Sequence, residues 1–304
     1  MGKIAFIFPG QGAQYPGMGK DFYEKFETAR AVFQEAEEAT GLNVRALCFE
    51  ENERLNQTEY TQIAMLTTEV AILRVLEEKG LRADVTAGLS LGEYGALAAA
   101  KVMGQSDLFR MIRKRGILMQ NAYPKGGAMT AVLGMQAKEL EEILAKIDGE
   151  VSVANYNCPG QIVITGEEGA VEDAAFMLKE AGAKRCVPLK VSGPFHSPLL
   201  REAGEQLGEA LKESVVADPE IPYVTNVDAS IVREGERVKG LLQRQVCSSV
   251  RWQQCVETMI ADGVDTFVEI GPGKTLSGFM RKIDPGVTCL NVEKVEDLEK
   301  LADL

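Results

Sequence analysis

The pentapeptide Gly88-Leu89-Ser90-Leu91-Gly92 fits the pattern G-x-S-x-G, and the chain contains one histidine, His196. Between a short strand and a helix this pattern makes a tight turn, because its glycines accept backbone approaches that a Cβ blocks. Such a turn lifts the Ser90 hydroxyl out at the carboxyl end of a sheet. It also leaves the Leu91 backbone N–H at a helix start, where it can stabilise an oxyanion. A neutral hydroxyl is a poor nucleophile, so it needs a base within hydrogen-bond reach, and histidine is the usual one near neutral pH. His196 lies in Gly193-Pro194-Phe195-His196, expected as a loop after a strand and before a helix. Each residue also has an ordinary reading, Ser90 as a Gly-flanked turn serine and His196 as a structural loop histidine. If Ser90 has an imidazole base, it is His196.

Arg115 bears on the acyl group. Leu108, Met111, Ile112, Leu118, Met119 and Ala122 form an apolar stripe on a helix expected over 106–122, and Arg115 falls inside that stripe while Arg113 and Lys114 point elsewhere. A guanidinium aimed into a core needs an anion, because an unpaired buried charge is costly. That anion is either a protein carboxylate or the free carboxylate of a substrate held by the planar fork; a dicarboxylic acyl group fits the second. Gln11, in the loop after the first strand, is by itself a turn residue whose backbone N–H can add a second oxyanion donor. Gly10-Gln11-Gly12 lacks the third glycine and downstream acid of a dinucleotide fingerprint, and Gly271-Pro272-Gly273-Lys274 lacks the spacing of a phosphate loop and reads as a turn.

These residues need a scaffold. Strands expected at 3–8 and 84–87, with helices over 21–39 and 91–101, alternate in the manner of a parallel sheet covered on both faces. The middle of the chain changes character: strand 129–133, helix 137–147, strands 151–156 and 161–165, helix 170–181, strand 185–189. That β-α-β-β-α-β order is the ferredoxin-like pattern. It is expected as a small subdomain over 126–190, inserted into a large α/β domain of 1–125 and 191–304 that includes a strand at 266–270. Hydrophobic residues at 45% and charged residues at 26% are ordinary for a globular chain and argue against a membrane span. A formal charge of −12 disfavours nucleic acid. The apolar start breaks at Pro9-Gly10, too soon for a signal-peptide core. The six cysteines show no C-x-x-C spacing, so neither a metal site nor a disulfide framework is expected and a reducing cytoplasm fits.

In order and spacing, several segments together resemble the malonyl-coenzyme A:acyl carrier protein transacylase family of bacterial fatty acid synthesis. They are Phe8-Pro9-Gly10-Gln11-Gly12, Gly88-Leu89-Ser90-Leu91-Gly92-Glu93-Tyr94, Arg115-Gly116 with Met119-Gln120, Asn157-Cys158-Pro159-Gly160-Gln161, Gly193-Pro194-Phe195-His196, Val250-Arg251-Trp252 and Glu269-Ile270-Gly271-Pro272-Gly273-Lys274. The resemblance spans almost the whole chain. It implies an α/β-hydrolase-like large domain, Ser90 as nucleophile, His196 as its base, Arg115 as the clamp on a malonyl carboxylate, and the Gln11 and Leu91 amides as the oxyanion hole. It further implies that the Gln245 main-chain carbonyl takes the other histidine N–H, so no catalytic aspartate is needed. The reaction implied is a two-step exchange through malonyl-serine, from coenzyme A to the phosphopantetheine thiol of holo acyl carrier protein, by a discrete and monomeric enzyme with no cofactor.

One departure is Leu89, where many relatives carry a histidine; the main chemistry is expected not to need it. Phe195 resembles the residue of malonyl-preferring enzymes, its bulk excluding branched acyl groups. Because carrier protein is acidic and this chain is too, docking calls for a local basic patch, with Lys184, Arg185 and Lys190 or Lys274, Arg281 and Lys282 as candidates. Two other readings stay open. A serine hydrolase of the esterase type shares the elbow and the histidine, and a noncatalytic carrier-binding subunit shares the fold but has no need of Ser90, His196 and Arg115 together.

Overall fold

A computed structural model describes residues 2–191, 193–302 and 304. Its strands are β1 (Lys3–Phe8), β2 (Val85–Gly88), β3 (Gly127–Leu133), β4 (Val151–Cys158), β5 (Gln161–Glu167), β6 (Arg185–Pro188), β7 (Tyr223–Val224), β8 (Ile231–Val232), β9 (Val264–Ile270) and β10 (Thr288–Val292). They form two sheets. The larger has the order β10-β9-β1-β2-β7-β8, parallel up to β7 and closed by an antiparallel edge pair, β7 with β8. The smaller has the order β4-β5-β3-β6 and is antiparallel throughout.

Alternation along β1 divides the core. Phe6 and Phe8 enter a cluster with residues of the Thr58–Glu78 and Gln105–Ala122 helices, while Ala5 and Ile7 enter a second cluster with Trp252, Val256 and Leu276 on the opposite face. Successive side chains of a strand point to opposite faces, so a strand covered on both sides reads as a continuous apolar run. The same rule links the two sheets. Ile162 and Ile164 of β5 pack with Leu140, Val171 and Leu178 of the helices Ala137–Leu144 and Glu168–Glu180, whereas Val163 turns the other way into the large cluster. A bridge between Asn155 and Val250 joins β4 to the segment before the Trp252–Ala261 helix.

The helix expected over 21–39 is two helices, Lys20–Lys25 and Glu27–Thr40, divided at Phe26, whose backbone is extended (φ −118°, ψ 130°). The Phe26 N–H still donates to the Phe22 carbonyl and its ring stays 5.8 Å from that of Phe22, so the apolar spacing continues across the break and conceals it. The helix expected from 91 begins as a 3₁₀ turn, Ser90–Gly92, and is regular over Glu93–Ala99. Thr58–Glu78, where sequence reading places no element, is buried on nearly all faces and so has no polar side to set off a stripe. Among the described residues no helix is long and apolar enough to cross a membrane.

Candidate active site

β2 ends at Gly88 beside Phe8 of β1, and the chain turns there into the Ser90–Gly92 3₁₀ turn. A Cβ on Gly88 would sit 1.8 Å from the Gly92 carbonyl oxygen, and one on Gly92 would sit 2.3 Å from that of Phe8, so both glycines are required by backbone contact. Ser90 itself has φ 56°, the left-handed region, which for a residue with a Cβ costs about 1–3 kcal/mol and is kept only where surroundings impose it. Here Asn226 imposes it: its Oδ1 accepts from the Ser90 N–H at 2.7 Å and its Nδ2 donates to the Gly88 carbonyl at 2.7 Å.

The Ser90 Oγ lies 2.7 Å from His196 Nε2, and His196 Nδ1 lies 2.9 Å from the Gln245 main-chain carbonyl. A carbonyl can only accept, so Nδ1 carries the hydrogen and the bare Nε2 faces the serine hydroxyl. Burial, helped by the nearby Arg115 charge and opposed by the backbone carbonyl, pushes the His196 pKa down to about 4. The imidazole is therefore neutral and available as a base throughout the physiological range.

Arg115 is fully buried on the Gln105–Ala122 helix. Its Nη2 donates to Ser90 Oγ at 3.1 Å and to the Gln245 side-chain Oε1 at 2.9 Å, and its Cζ lies 5.8 Å from the centre of the Tyr94 ring. Both of those hydrogen-bond acceptors are neutral. Nε and Nη1 are buried without a hydrogen-bond partner among the described residues. Burial lowers the guanidinium pKa, while Tyr94 and Glu93 oppose that shift. Of the two anions that sequence reading leaves open, no protein carboxylate is hydrogen-bonded to the guanidinium among the described residues.

The Gln245 side chain is a junction that sequence reading missed. Its Nε2 donates to the Ser90 carbonyl at 2.9 Å and to Glu93 Oε2 at 2.7 Å. Glu93 is wholly buried, also accepts from the Asn226 N–H at 3.2 Å, and has its pKa pushed up to about 7 by burial against the lowering effect of those bonds. Glu93 follows the serine by three residues, a local signal for a partner on the same turn. Asn226 gave none, since it reaches Ser90 across 136 positions of sequence.

Ser90 and His196 open onto a cavity of about 230 Å³ whose lining includes Gln11, Leu91, Met119, Asn155, Asn157 and Phe195. Gln11 is held by its side-chain Nε2, which donates to Thr58 Oγ1 at 3.1 Å. Leu89 also lines the cavity. Asn155 and Asn157 come from β4, so both sheets contribute to the wall. Leu189 reaches the cavity beside the exposed Lys190, with Lys184 and Arg185 exposed along β6; on the other side Thr275 and Phe279 reach it beside the exposed Lys274. Arg281 and Lys282 are exposed on the Thr275–Ile283 helix. Gly271-Pro272-Gly273-Lys274 is a bend, and the Glu269 carboxylate below it accepts from the Leu276 and Ser277 N–H groups at 2.9 and 2.8 Å, fixing the start of that helix. Among the described residues no cluster of three or more His, Cys, Asp or Glu is placed to hold a metal ion. The serine–imidazole pair can take a proton from Ser90 through the bare Nε2, with a guanidinium beside the hydroxyl.

The sequence matches the family described as "Acyl transferase domain" over residues 5–285. It is 45% identical over 304 residues to the malonyl CoA-acyl carrier protein transacylase of Bacillus subtilis, covering 98% of this chain and 96% of that one. The crystal structure of malonyl CoA-acyl carrier protein transacylase from Clostridium perfringens superposes with a TM-score of 0.96 at 44% identity, covering 99% of this chain and 96% of that one. A malonyl-transacylase in complex with its type II polyketide acyl-carrier protein superposes with a TM-score of 0.96 at 38% identity, covering 99% of each chain.

The buried imidazole sets a pH dependence. Only its unprotonated form can take the serine proton, so single-turnover acylation of Ser90 by p-nitrophenyl acetate should stay level from pH 8 down to about 5 and fall as the pH passes through about 4. Ser90→Ala supplies the background rate. A midpoint near 6.5, the ordinary value for histidine, would contradict the environment described.

Proposed function

The chain belongs to the acyl transferase domain family, among its malonyl CoA-acyl carrier protein transacylases, and from that premise we propose how its residues carry a malonyl group from coenzyme A to acyl carrier protein for fatty acid synthesis. The observation that carries the reading is the buried Arg115 guanidinium, 3.1 Å from the nucleophile and with two unpartnered nitrogens. A carboxylate one methylene away from a thioester carbonyl can reach that fork while its carbonyl carbon faces Ser90 Oγ. An esterase acting on neutral acyl groups has no use for this charge, and a binding subunit has no use for the serine–imidazole pair.

In the first half-reaction Ser90 Oγ attacks the thioester carbonyl carbon while His196 Nε2 takes its proton. The oxyanion of the tetrahedral intermediate is received by the Gln11 and Leu91 backbone N–H groups. Its collapse breaks the C–S bond, and the imidazolium returns the proton to the coenzyme A sulfur. In the second half the phosphopantetheine thiol of holo acyl carrier protein gives its proton to His196 and attacks the malonyl-serine ester; Ser90 leaves and recovers the proton. An acyl group and protons move without change of oxidation state, so we assign no cofactor. The Nδ1 bond to the Gln245 carbonyl holds the imidazole in the working tautomer. Phe195, in the cavity wall beside the base, narrows the space for a branched acyl group.

The same reading describes the large sheet as an α/β-hydrolase-like domain, 1–125 and 191–304, and the β4-β5-β3-β6 unit at 126–190 as an inserted ferredoxin-like subdomain. It takes the enzyme as a cytoplasmic monomer. It places carrier-protein docking on a local basic patch, either Lys184, Arg185 and Lys190, exposed in and beside β6, or Lys274, Arg281 and Lys282, exposed on the Thr275–Ile283 helix and the residue before it.

Intact-protein mass spectrometry after brief exposure to malonyl-coenzyme A should show a malonyl adduct on the wild type that is absent in Ser90→Ala and weak in Arg115→Ala. Holo acyl carrier protein should discharge it; discharge by water at the same rate would restore the esterase. Methylmalonyl-coenzyme A should label the wild type more slowly than malonyl-coenzyme A, and equal labelling would remove the role given to Phe195. Reversing Lys184 and Arg185 to glutamate should raise KM for carrier protein and leave KM for malonyl-coenzyme A unchanged. Equal effects on both substrates would refute the docking site.

A further inference from the structure

We infer that Glu93 is a positioning residue for Arg115, holding the Gln245 amide in the orientation that presents an oxygen to the guanidinium. The inference rests on the transacylase reading and concerns how that site favours an acyl group bearing a carboxylate.

An amide side chain turned by half a revolution about its last bond exchanges acceptor for donors. Turned so, Gln245 would aim N–H groups at a buried cation that itself only donates. The orientation is chosen on the Nε2 side, where the contacts are Glu93 Oε2 at 2.7 Å, the Ser90 carbonyl at 2.9 Å and Asn226 Oδ1 at 3.3 Å. Glu93 makes the shortest of these, and it is fully buried, so no solvent competes for the bond. The same carboxyl oxygen accepts from the Asn226 backbone at 3.2 Å, and the Asn226 side chain holds the Ser90 turn. One oxygen thus anchors two arms, one running through Gln245 to Arg115 and one through Asn226 to the nucleophile. Glu93 is absent from the cavity wall and acts through these two residues.

The two arms have different kinetic signatures. Loss of the serine arm slows every acyl donor alike, whereas loss of the guanidinium arm slows malonyl transfer and spares acetyl transfer, because acetyl has no carboxylate to clamp. The experiment is single-turnover acylation of wild type, Glu93→Ala, Glu93→Asp and Glu93→Gln by malonyl-coenzyme A and by acetyl-coenzyme A, read as the ratio of the two rates. Glu93→Gln keeps an acceptor oxygen at the same reach and should hold the ratio close to that of the wild type. Glu93→Ala lacks the acceptor and Glu93→Asp withdraws it by one methylene, and each should lower the ratio by about tenfold or more, the effect of leaving a buried polar partner unmet. Should Glu93→Ala fail to fold, the comparison of Asp with Gln decides. A wild-type ratio retained in Glu93→Asp, with both rates falling together or neither falling, overturns the inference, as does a Gln variant that loses the ratio as fully as Asp. Absence of malonyl-serine in the wild type would instead remove the transacylase reading itself.

Discussion

A positive charge is buried beside Ser90 with no carboxylate hydrogen-bonded to it among the described residues, and the surrounding structure is arranged around that fact. Arg115 is wholly buried, and its hydrogen bonds go to a hydroxyl and an amide oxygen. A buried guanidinium is costly unless its donors are met. Two neutral acceptors and the face of Tyr94 meet part of that need, and Nε and Nη1 have no hydrogen-bond partner among the described residues.

The neutrality of the neighbours follows from the same requirement. Were His196 oriented by an ionised carboxylate, as in a Ser-His-Asp triad, that anion would stand a few ångströms from Arg115 and compete with the substrate for it. The Gln245 carbonyl orients the imidazole with a dipole alone. Glu93, the carboxyl group that does lie within the network, has its pKa pushed up to about 7, so its negative charge is reduced near neutral pH. The lowered His196 pKa comes first from its burial and second from the Arg115 cation nearby. Burial is thus the main cause of the shifts at both His196 and Glu93, with the Arg115 charge lowering each.

Keeping this network dry requires two layers. The large sheet supplies the strained turn at the end of β2, and the small sheet covers it from above through β4 and β5, with Val163 packed into the main core and Asn155 and Asn157 in the cavity wall. The stiffness of a doubly covered parallel sheet lets Ser90 hold a left-handed backbone that a loop would relax.

How much of this was legible in the sequence depends on the range of each interaction. Glycines that admit a tight turn, a serine between them, a lone histidine and an arginine within an apolar helical stripe are local or compositional facts, and they single out Ser90, His196 and Arg115 as candidates. The β-α-β-β-α-β order of the middle segment is likewise a local pattern, as is the run of apolar residues in β1. The kink at Phe26 left the apolar spacing intact and so left no trace, and the Thr58–Glu78 helix, buried all round, lacked the polar face by which a helix is recognised. The roles of Asn226 and of the Gln245 side chain were invisible because amides are common in loops and helices, and nothing nearby in sequence marks these two. Sequence by itself determined which groups are available to react. Tertiary structure decided their protonation, their orientation and which of Arg115's possible partners it meets, because those depend on desolvation and on hydrogen bonds between residues more than 100 positions apart.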